Sequence, residues 1–156
     1  MRILPVVLAA LAACASPAPA RPVCFLFVMT DCPIANQFAP EIQRIVADYP
    51  RVEFRVVYED AGDVERHARE YGLPGAMRDE RHELARRMGA TITPEAVVTR
   101  GGAVVYRGRI DDRYYDLGKW KFQPTTHDLR DALDDVLAGR PVRVAETKAI
   151  GCSISE

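Results

Sequence analysis

The sequence has little excess charge of either sign. Its 21 Lys and Arg residues nearly balance its 22 Asp and Glu residues, so the formal net charge is −1. Acidic and basic residues are mixed along the chain, whereas a nucleic-acid-binding protein needs a concentrated basic face. We find no internal repeat, and compositional bias is confined to residues 1–20. The hydrophobic content of the full sequence, 48%, is typical of one globular domain with an adequate core. The mixed charges predict no nucleic-acid partner.

Histidine is also scarce. His67 and His82 lie in segments that read as charged helices, where they are most simply solvated, and His127 lies at the start of a further predicted helix. None of the three has a neighbouring ligand at the spacing of a metal site. The sequence therefore predicts no metal site, and we expect no cofactor.

Residues 1–20, MRILPVVLAALAACASPAPA, are too short and too rich in proline for a membrane-spanning helix. They are typical of a secretory signal peptide, with one Arg, an apolar core and small residues after it. Ala18-Pro19-Ala20 resembles a cleavage site that would free Arg21. Leu11-Ala12-Ala13-Cys14 resembles a bacterial lipoprotein box, which would make Cys14 a lipid anchor and the only membrane contact. Both alternatives predict an extracytoplasmic (periplasmic or cell-envelope) protein.

The cysteines are few and cannot all pair. Cleavage or lipidation removes the Cys14 thiol, which leaves Cys24, Cys32 and Cys152. An odd number of cysteines in an oxidising compartment implies at least one unpaired or intermolecular thiol. A chain of this size does not need a disulfide framework, so these thiols indicate chemistry more than scaffolding.

Hydrophobic periodicity predicts an α/β fold with the element order β-α-β-α-α-β-β-α. Strands separated by helices are expected to be parallel, and a late hairpin adds an antiparallel edge to a mixed central sheet with helices on both faces. This domain covers residues 21–139, and residues 140–156 form a tail with no periodic pattern. Strands are predicted at 23–30, 51–60, 95–100 and 103–110, and helices at 33–49, 62–73, 78–89 and 125–139, the last capped by Thr125 or Thr126.

Cys32 stands where the first predicted strand meets the first predicted helix. The carboxyl ends of strands in open α/β sheets are where ligands and reactions gather. Unpaired N–H groups at the helix start favour a thiolate, although the adjacent Asp31 opposes it. Because such a junction is usually partly exposed, we expect Cys32 to be accessible and reactive, and not a buried hydrophobic residue.

Three positions then resemble the thioredoxin-like superfamily. Cys32 at a strand–helix junction is followed eight residues later by Pro40, the spacing of the superfamily's first cysteine and helix-kinking proline. Thr93-Pro94, before the predicted hairpin, matches its cis-proline, which faces the reactive thiol. The segments DCPIANQFAPEI, RGRIDDRYYD and the terminal GC-x-I are similar to bacterial redoxin-domain proteins of the alkyl-hydroperoxide-reductase/thiol-specific-antioxidant type. The resemblance implies Cys32 as nucleophile and Thr93 and Pro94 as substrate-binding residues.

Other positions depart from each specialised relative. Ala35 replaces the second cysteine of a thioredoxin C-x-x-C motif, so that internal disulfide is impossible. Met29 and Phe25 replace the Thr and Pro that precede a peroxiredoxin cysteine. Asn36 replaces the second cysteine of the C-P-x-x-C motif in Sco-type copper proteins. Peroxide activation and copper binding therefore do not carry over directly.

A second sulfur for Cys32 has to come from elsewhere in the chain. Cys24 lies eight residues earlier on the same strand, more than ~20 Å away at about 3.3 Å per residue. Since a disulfide needs Cα atoms within roughly 7 Å, Cys24 is predicted to be a packed core residue. Cys152 lies in the unpatterned tail and could fold back, either as a resolving cysteine or as a plain surface cysteine. The sequence leaves both alternatives open.

These observations predict an exported thiol-dependent redoxin, a thiol–disulfide oxidoreductase or a thiol peroxidase. Its partners would be a protein or small-molecule disulfide or peroxide and an external thiol reductant. A Sco-like copper-handling protein and a non-catalytic interaction module with the same fold are the alternatives. The polar-aromatic loop from Tyr114 to Phe122 either flanks a substrate groove or packs against the edge of the sheet.

Overall fold

A computed structural model describes residues 21–154 of the chain; the predicted signal peptide and lipoprotein box lie outside them. No helix in this range is long and apolar enough to cross a membrane. The strands are β1 Val23–Val28, β2 Glu53–Tyr58, β3 Ala76–Arg78, β4 Ile92–Thr93, β5 Glu95–Arg100, β6 Ala103–Gly108, β7 Tyr114–Asp116, β8 Lys119–Trp120 and β9 Cys152–Ser153. The helices are α1 Pro33–Asp48, α2 Val64–Glu70, α3 Glu83–Met88 and α4 Asp128–Leu137.

The central sheet is mixed, as predicted, with the strand order β3-β2-β1-β5-β6. Strands β1, β2 and β3 run parallel, and β5 and β6 form the expected hairpin. The prediction that helix-separated strands are parallel is wrong for β5, which pairs antiparallel with β1. After α3 the chain returns as β5, which lies on the edge of β1 opposite β2 and runs antiparallel to β1. Strand β3 was missed because three residues are too few to show an alternating pattern.

Strand β1 is buried on both faces, in agreement with its continuous apolar sequence. On one face Cys24, Leu26 and Val28 join a core cluster that includes residues of α1 and α4. On the other, Phe25 and Phe27 pack with residues of β2, β5 and α3. Burial on both sides makes β1 the rigid element that carries the β1–α1 junction.

Two helices begin later than their patterns predict, and side-chain hydrogen bonds explain both. The predicted helix at 78–89 begins only at Glu83, because the Asp79 carboxylate accepts from the Glu83, Leu84 and Ala85 amides at 2.7–3.0 Å. The last helix begins at Asp128 with His127 as its N-cap, not Thr125 or Thr126.

The two threonines hold a preceding turn instead of capping the helix. The backbone amides of Thr125 and Thr126 donate to the Asp112 carboxylate at 2.6 and 3.0 Å. These bonds, together with ion pairing to Lys121, hold the pKa of Asp112 well below its usual range although burial opposes the shift. The prediction of a threonine cap is therefore wrong.

The tail follows a defined path after α4. The buried Asp135 carboxylate first accepts from the side chains of Arg140 and Arg143 at 2.8–3.1 Å. The tail then runs beside β6, where the Arg107 amide donates to the Ala145 carbonyl at 2.9 Å and the Thr147 amide donates back to the Arg107 carbonyl at 3.0 Å. It ends in β9, which pairs antiparallel with β4.

Candidate active site

Cys32 is the N-cap residue of α1. Its sulfur accepts from the Ala35 amide at 3.5 Å, and its S–H donates to the Thr93 carbonyl at 3.2 Å. Pro33 occupies the first helical position, where the missing N–H costs nothing. The amide contact can persist after the thiol loses its proton, whereas the bond to Thr93 cannot, so deprotonation would free the Thr93 carbonyl.

The Thr93–Pro94 peptide bond is cis, as predicted. Both residues are buried, and the Thr93 carbonyl points at the Cys32 sulfur from the strand that faces the start of α1. The structure thus brings the predicted nucleophile and at least one predicted substrate-binding residue into direct contact.

Cys152 reaches the same place from the other end of the chain. It lies opposite Thr93 in the β4–β9 ladder, and the Thr93 hydroxyl donates to the Cys152 carbonyl at 3.3 Å. Burial raises the pKa of the Cys152 thiol well above its ordinary value of 9, and interaction with the neighbouring Cys32 thiol raises it further. At neutral pH Cys152 is therefore protonated beside Cys32, and the two thiols are not joined in this structure.

The expectation that Cys32 is partly exposed is wrong. Its exposed fraction is 0%, whereas Cys152 is half-buried. Cys152 and Ile150 pack against the core cluster to which Cys32 belongs. The Cys152 side chain therefore lies beside the Cys32 thiol, a contact between residues 120 positions apart that local sequence cannot reveal.

Cys24 is a core residue, as predicted. It is fully buried between Phe54 of β2 and Val98 of β5, and burial strongly raises the pKa of its thiol. A neutral thiol shielded by packing on both sides has no role in exchange chemistry.

The aromatic loop packs against helix α1 and not against the edge of the sheet, and its place beside a substrate groove stays a prediction. It forms the β7–β8 hairpin, in which Tyr114 is buried against Phe38 of α1 with ring centroids 5.8 Å apart and donates a hydrogen bond to Gln37. Burial raises the pKa of Tyr114. Tyr115 and Trp120 are exposed. The contact between Tyr114 and α1 was missed because the loop has no periodic pattern.

The expectation that His67 is solvated is also wrong. His67 is buried, its Nε2 bonds the Asn36 side-chain oxygen at 2.9 Å, and its Nδ1 bonds the Tyr58 hydroxyl at 3.0 Å. Burial lowers the pKa of His67, which keeps the ring neutral. Asn36, at the position of the second cysteine in copper proteins, donates to the Thr30 carbonyl at 3.2 Å and so braces the β1–α1 turn.

His82 is likewise not simply solvated. Its Nδ1 lies 2.6 Å from a carboxylate oxygen of the buried Glu59. Within residues 21–154 no three or more His, Cys, Asp or Glu side chains are grouped so as to hold a metal ion.

Comparison with known proteins finds relatives among solved structures only; no family model and no curated protein matches the chain. An uncharacterised conserved protein from Geobacillus kaustophilus is similar at a TM-score of 0.74 and 29% identity, over 88% of this chain and 78% of that one. A hypothetical protein from Sinorhizobium meliloti is similar at 0.70 and 26%, over 86% and 79% of the two chains. Neither description states an activity.

Two more distant structures have described folds or activities. A thioredoxin-like protein in its oxidised form has a TM-score of 0.57 at 15% identity, over 77% of this chain and 80% of that one. A secreted Mycobacterium tuberculosis disulfide oxidoreductase homologous to E. coli DsbE has a TM-score of 0.50 at 20% identity, over 76% and 81%. At these identities the likeness shows the fold alone. The chain has the thioredoxin-like fold that its sequence resembles.

Proposed function

We propose that this protein is a thiol–disulfide redoxin in which Cys32 is the nucleophile and Cys152 the resolving cysteine. The observation that carries the proposal is the position of Cys152, directly opposite Thr93, whose carbonyl accepts from the Cys32 thiol. A second thiol at that point supplies what the missing C-x-x-C cysteine would have supplied.

The first step forms a mixed disulfide. Cys32 loses its proton and attacks one sulfur of an external disulfide, which forms a Cys32–substrate bond and releases the other half as a thiolate that takes up a proton. The Ala35 amide, at 3.5 Å from the sulfur, can stabilise the negative charge, as can the helix terminus behind it. The Thr93 carbonyl contacts the sulfur from β4, and we assign substrate binding on that side to Thr93 and Pro94.

The second step resolves this intermediate. Cys152 loses its proton and attacks the Cys32 sulfur, which releases the second substrate thiolate and leaves a Cys32–Cys152 disulfide. The substrate has then gained two electrons, and an external dithiol returns the pair to the reduced state. Since a Cys32 sulfur in a disulfide carries no charge, its electrostatic contribution to the raised pKa of Cys152 is absent at this step, and Cys152 ionises more readily.

An exported site of action fits this chemistry, because external dithiols and oxidised protein substrates meet in an oxidising compartment. The similar Mycobacterium tuberculosis oxidoreductase is described as secreted. We extend the proposal to this location on the signal-peptide pattern of residues 1–20.

The test measures turnover of a peptide disulfide with dithiothreitol as reductant, using the full chain. Cys32→Ser should abolish turnover. Pre-reduced Cys152→Ser, mixed with the substrate without dithiothreitol, should release about one equivalent of product thiol and stall as a mixed disulfide on Cys32, found by non-reducing peptide mapping. The matched control is Cys24→Ala, which should turn over normally. Normal turnover by Cys152→Ser would establish a one-cysteine mechanism instead.

Parallel measurements separate the alternatives. Rapid hydrogen peroxide consumption with a sulfenic acid on Cys32 would identify a peroxidase. Tight Cu(I) binding that is lost in both Cys32→Ser and Cys152→Ser, without disulfide turnover, would identify a copper-handling protein. A protein with neither activity would be an interaction module.

A further inference from the structure

The starting observation is that the proposed nucleophile has no contact with solvent. Cys32 is 0% exposed, and its sulfur lies between the Ala35 amide and the Thr93 carbonyl. An external disulfide must approach a sulfur directly to exchange with it. In this arrangement no substrate can reach Cys32, so some covering segment has to move before the first step.

The covering segment is held by a short ladder and by the side chains of Ile150, Cys152 and Ile154, which pack against the two core clusters. We call residues 149–154 the strap. Its strand β9 contributes two ladder pairs, Ile92 with Ser153 and Thr93 with Cys152, and its Ile154 amide donates to the Thr91 carbonyl at 2.9 Å. A two-stranded ladder of this length is not stable by itself.

A groove separates the base of the strap from the body of the domain. Its volume is about 510 Å³, and Glu95 and Arg107 line it on the domain side while Glu146 and Lys148 line it on the tail side. Arg107 and Glu146 form an ion pair across the groove, with a nitrogen–oxygen distance of 2.5 Å. Residues just before the strap are also anchored, since the Thr147 hydroxyl accepts from the Arg109 amide at 3.0 Å.

The fit of the strap depends on one glycine. A Cβ atom on Gly151 would lie 2.0 Å from the Thr93 carbonyl oxygen and 2.7 Å from its carbon. Both are backbone atoms, so they cannot turn away as a flexible side chain would. Any side chain at position 151 therefore pushes the strap off β4 at the very carbonyl that contacts Cys32.

We propose that residues 149–154 are a displaceable strap that closes the Cys32 site, with Gly151 as the positioning residue that lets it seat on β4. The strap must leave β4 for the first exchange step and return for Cys152 to resolve it. The inference rests on Cys32 as the nucleophile of the proposed function, but it concerns access to the thiol and not turnover.

The test compares Cys32 alkylation in the reduced full chain for Gly151→Val and for the matched control Ser153→Val. Ser153 is exposed and lies on the same strand, so added bulk there meets no backbone. Iodoacetamide labelling followed by peptide mapping should show Cys32 reacting about tenfold faster or more in Gly151→Val, since closure and opening are in equilibrium. Ser153→Val should remain within about twofold of the wild type.

A second measurement protects the test against misfolding of the variant. The peptide Ala-Ile-Gly-Ser-Ser-Ile, with serine in place of the strap cysteine, should slow Cys32 labelling in Gly151→Val by refilling β4. In the wild-type chain, hydrogen exchange at the Ile154 amide should be faster than at β1 amides, which open only on global unfolding.

Equal rates of Cys32 labelling in wild type and Gly151→Val, or no protection by the peptide, would overturn the proposal that the strap is displaceable. A failure of the proposed function would look different. Disulfide turnover would then be absent from all variants, while the labelling difference would remain.

Discussion

The anchor of the tail at Thr147 can be tested by a single substitution. The Thr147 hydroxyl accepts from the Arg109 amide at 3.0 Å and lies 2.9 Å from the Tyr106 hydroxyl. The Tyr106 hydroxyl itself donates to the Arg109 carbonyl at 2.6 Å, so the Thr147 hydroxyl is the donor between the two. Thr147→Val keeps the branched shape but removes both interactions.

The expected loss in the free energy of unfolding depends on which hydrogen-bonding groups Thr147→Val leaves without a partner. Tyr106 keeps its own bond to Arg109, but the Arg109 amide loses its acceptor. One unsatisfied backbone N–H costs about 1–3 kcal/mol when buried. Because Thr147 is half-buried, we expect the lower part of that range, a decrease in the free energy of unfolding of about 1–2 kcal/mol. For a chain of this size that lowers Tm by roughly 2–8 °C.

The assay is urea unfolding of the reduced full chain, with thermal unfolding in parallel. Thr147→Ser is the control, because it keeps the hydroxyl and removes only a half-buried methyl, for a loss below about 0.8 kcal/mol. The valine variant should therefore be the less stable of the two. If Thr147→Val were as stable as the wild type, or more stable than Thr147→Ser, the hydrogen bonds of Thr147 would not anchor the tail.

Three further predictions concern buried groups away from the Cys32 sulfur. Cys24→Ala should lower the free energy of unfolding by about 1 kcal/mol, and brief iodoacetamide treatment of native protein should leave Cys24 unlabelled; rapid labelling of Cys24 would contradict its burial. Burial raises the pKa of Glu59 from 4.5 to about 7, against the lowering effect of His82. The carboxyl therefore ionises first in the unfolded chain, and the folded state loses stability as pH rises from 4.5 to about 7. Glu59→Gln should gain stability relative to wild type between about pH 5 and about pH 8 in urea unfolding, and an unchanged difference would refute this. Hydrogen bonds from Arg143 and then Arg140 lower the pKa of Asp135 from 3.8 to about 2, so its stabilisation is present above 3.8 and is lost as pH falls towards 2. Asp135→Asn should therefore be less stable than wild type at neutral pH and approach it in acid, as followed by circular dichroism.

Local sequence patterns determined much of this protein. The apolar run from Val23 to Val28 predicts a strand buried on both faces, and Pro33 predicts the helix start that makes Cys32 an N-cap residue. Each of these features depends on residues close in sequence, whose periodicity and backbone restrictions act without the rest of the fold.

The tertiary structure alone decided the direction of β5, the start of α4 and the burial of Cys32. The direction of β5 depends on which edge of β1 the chain reaches, and the start of α4 depends on Asp112 binding the amides of two threonines. Cys32 is buried in a core cluster against which Cys152 packs, and Cys152 pairs with Thr93 in a tail without any periodic pattern. Hydrogen bonds between residues far apart in the chain set these features, and no local pattern encodes which partners will meet.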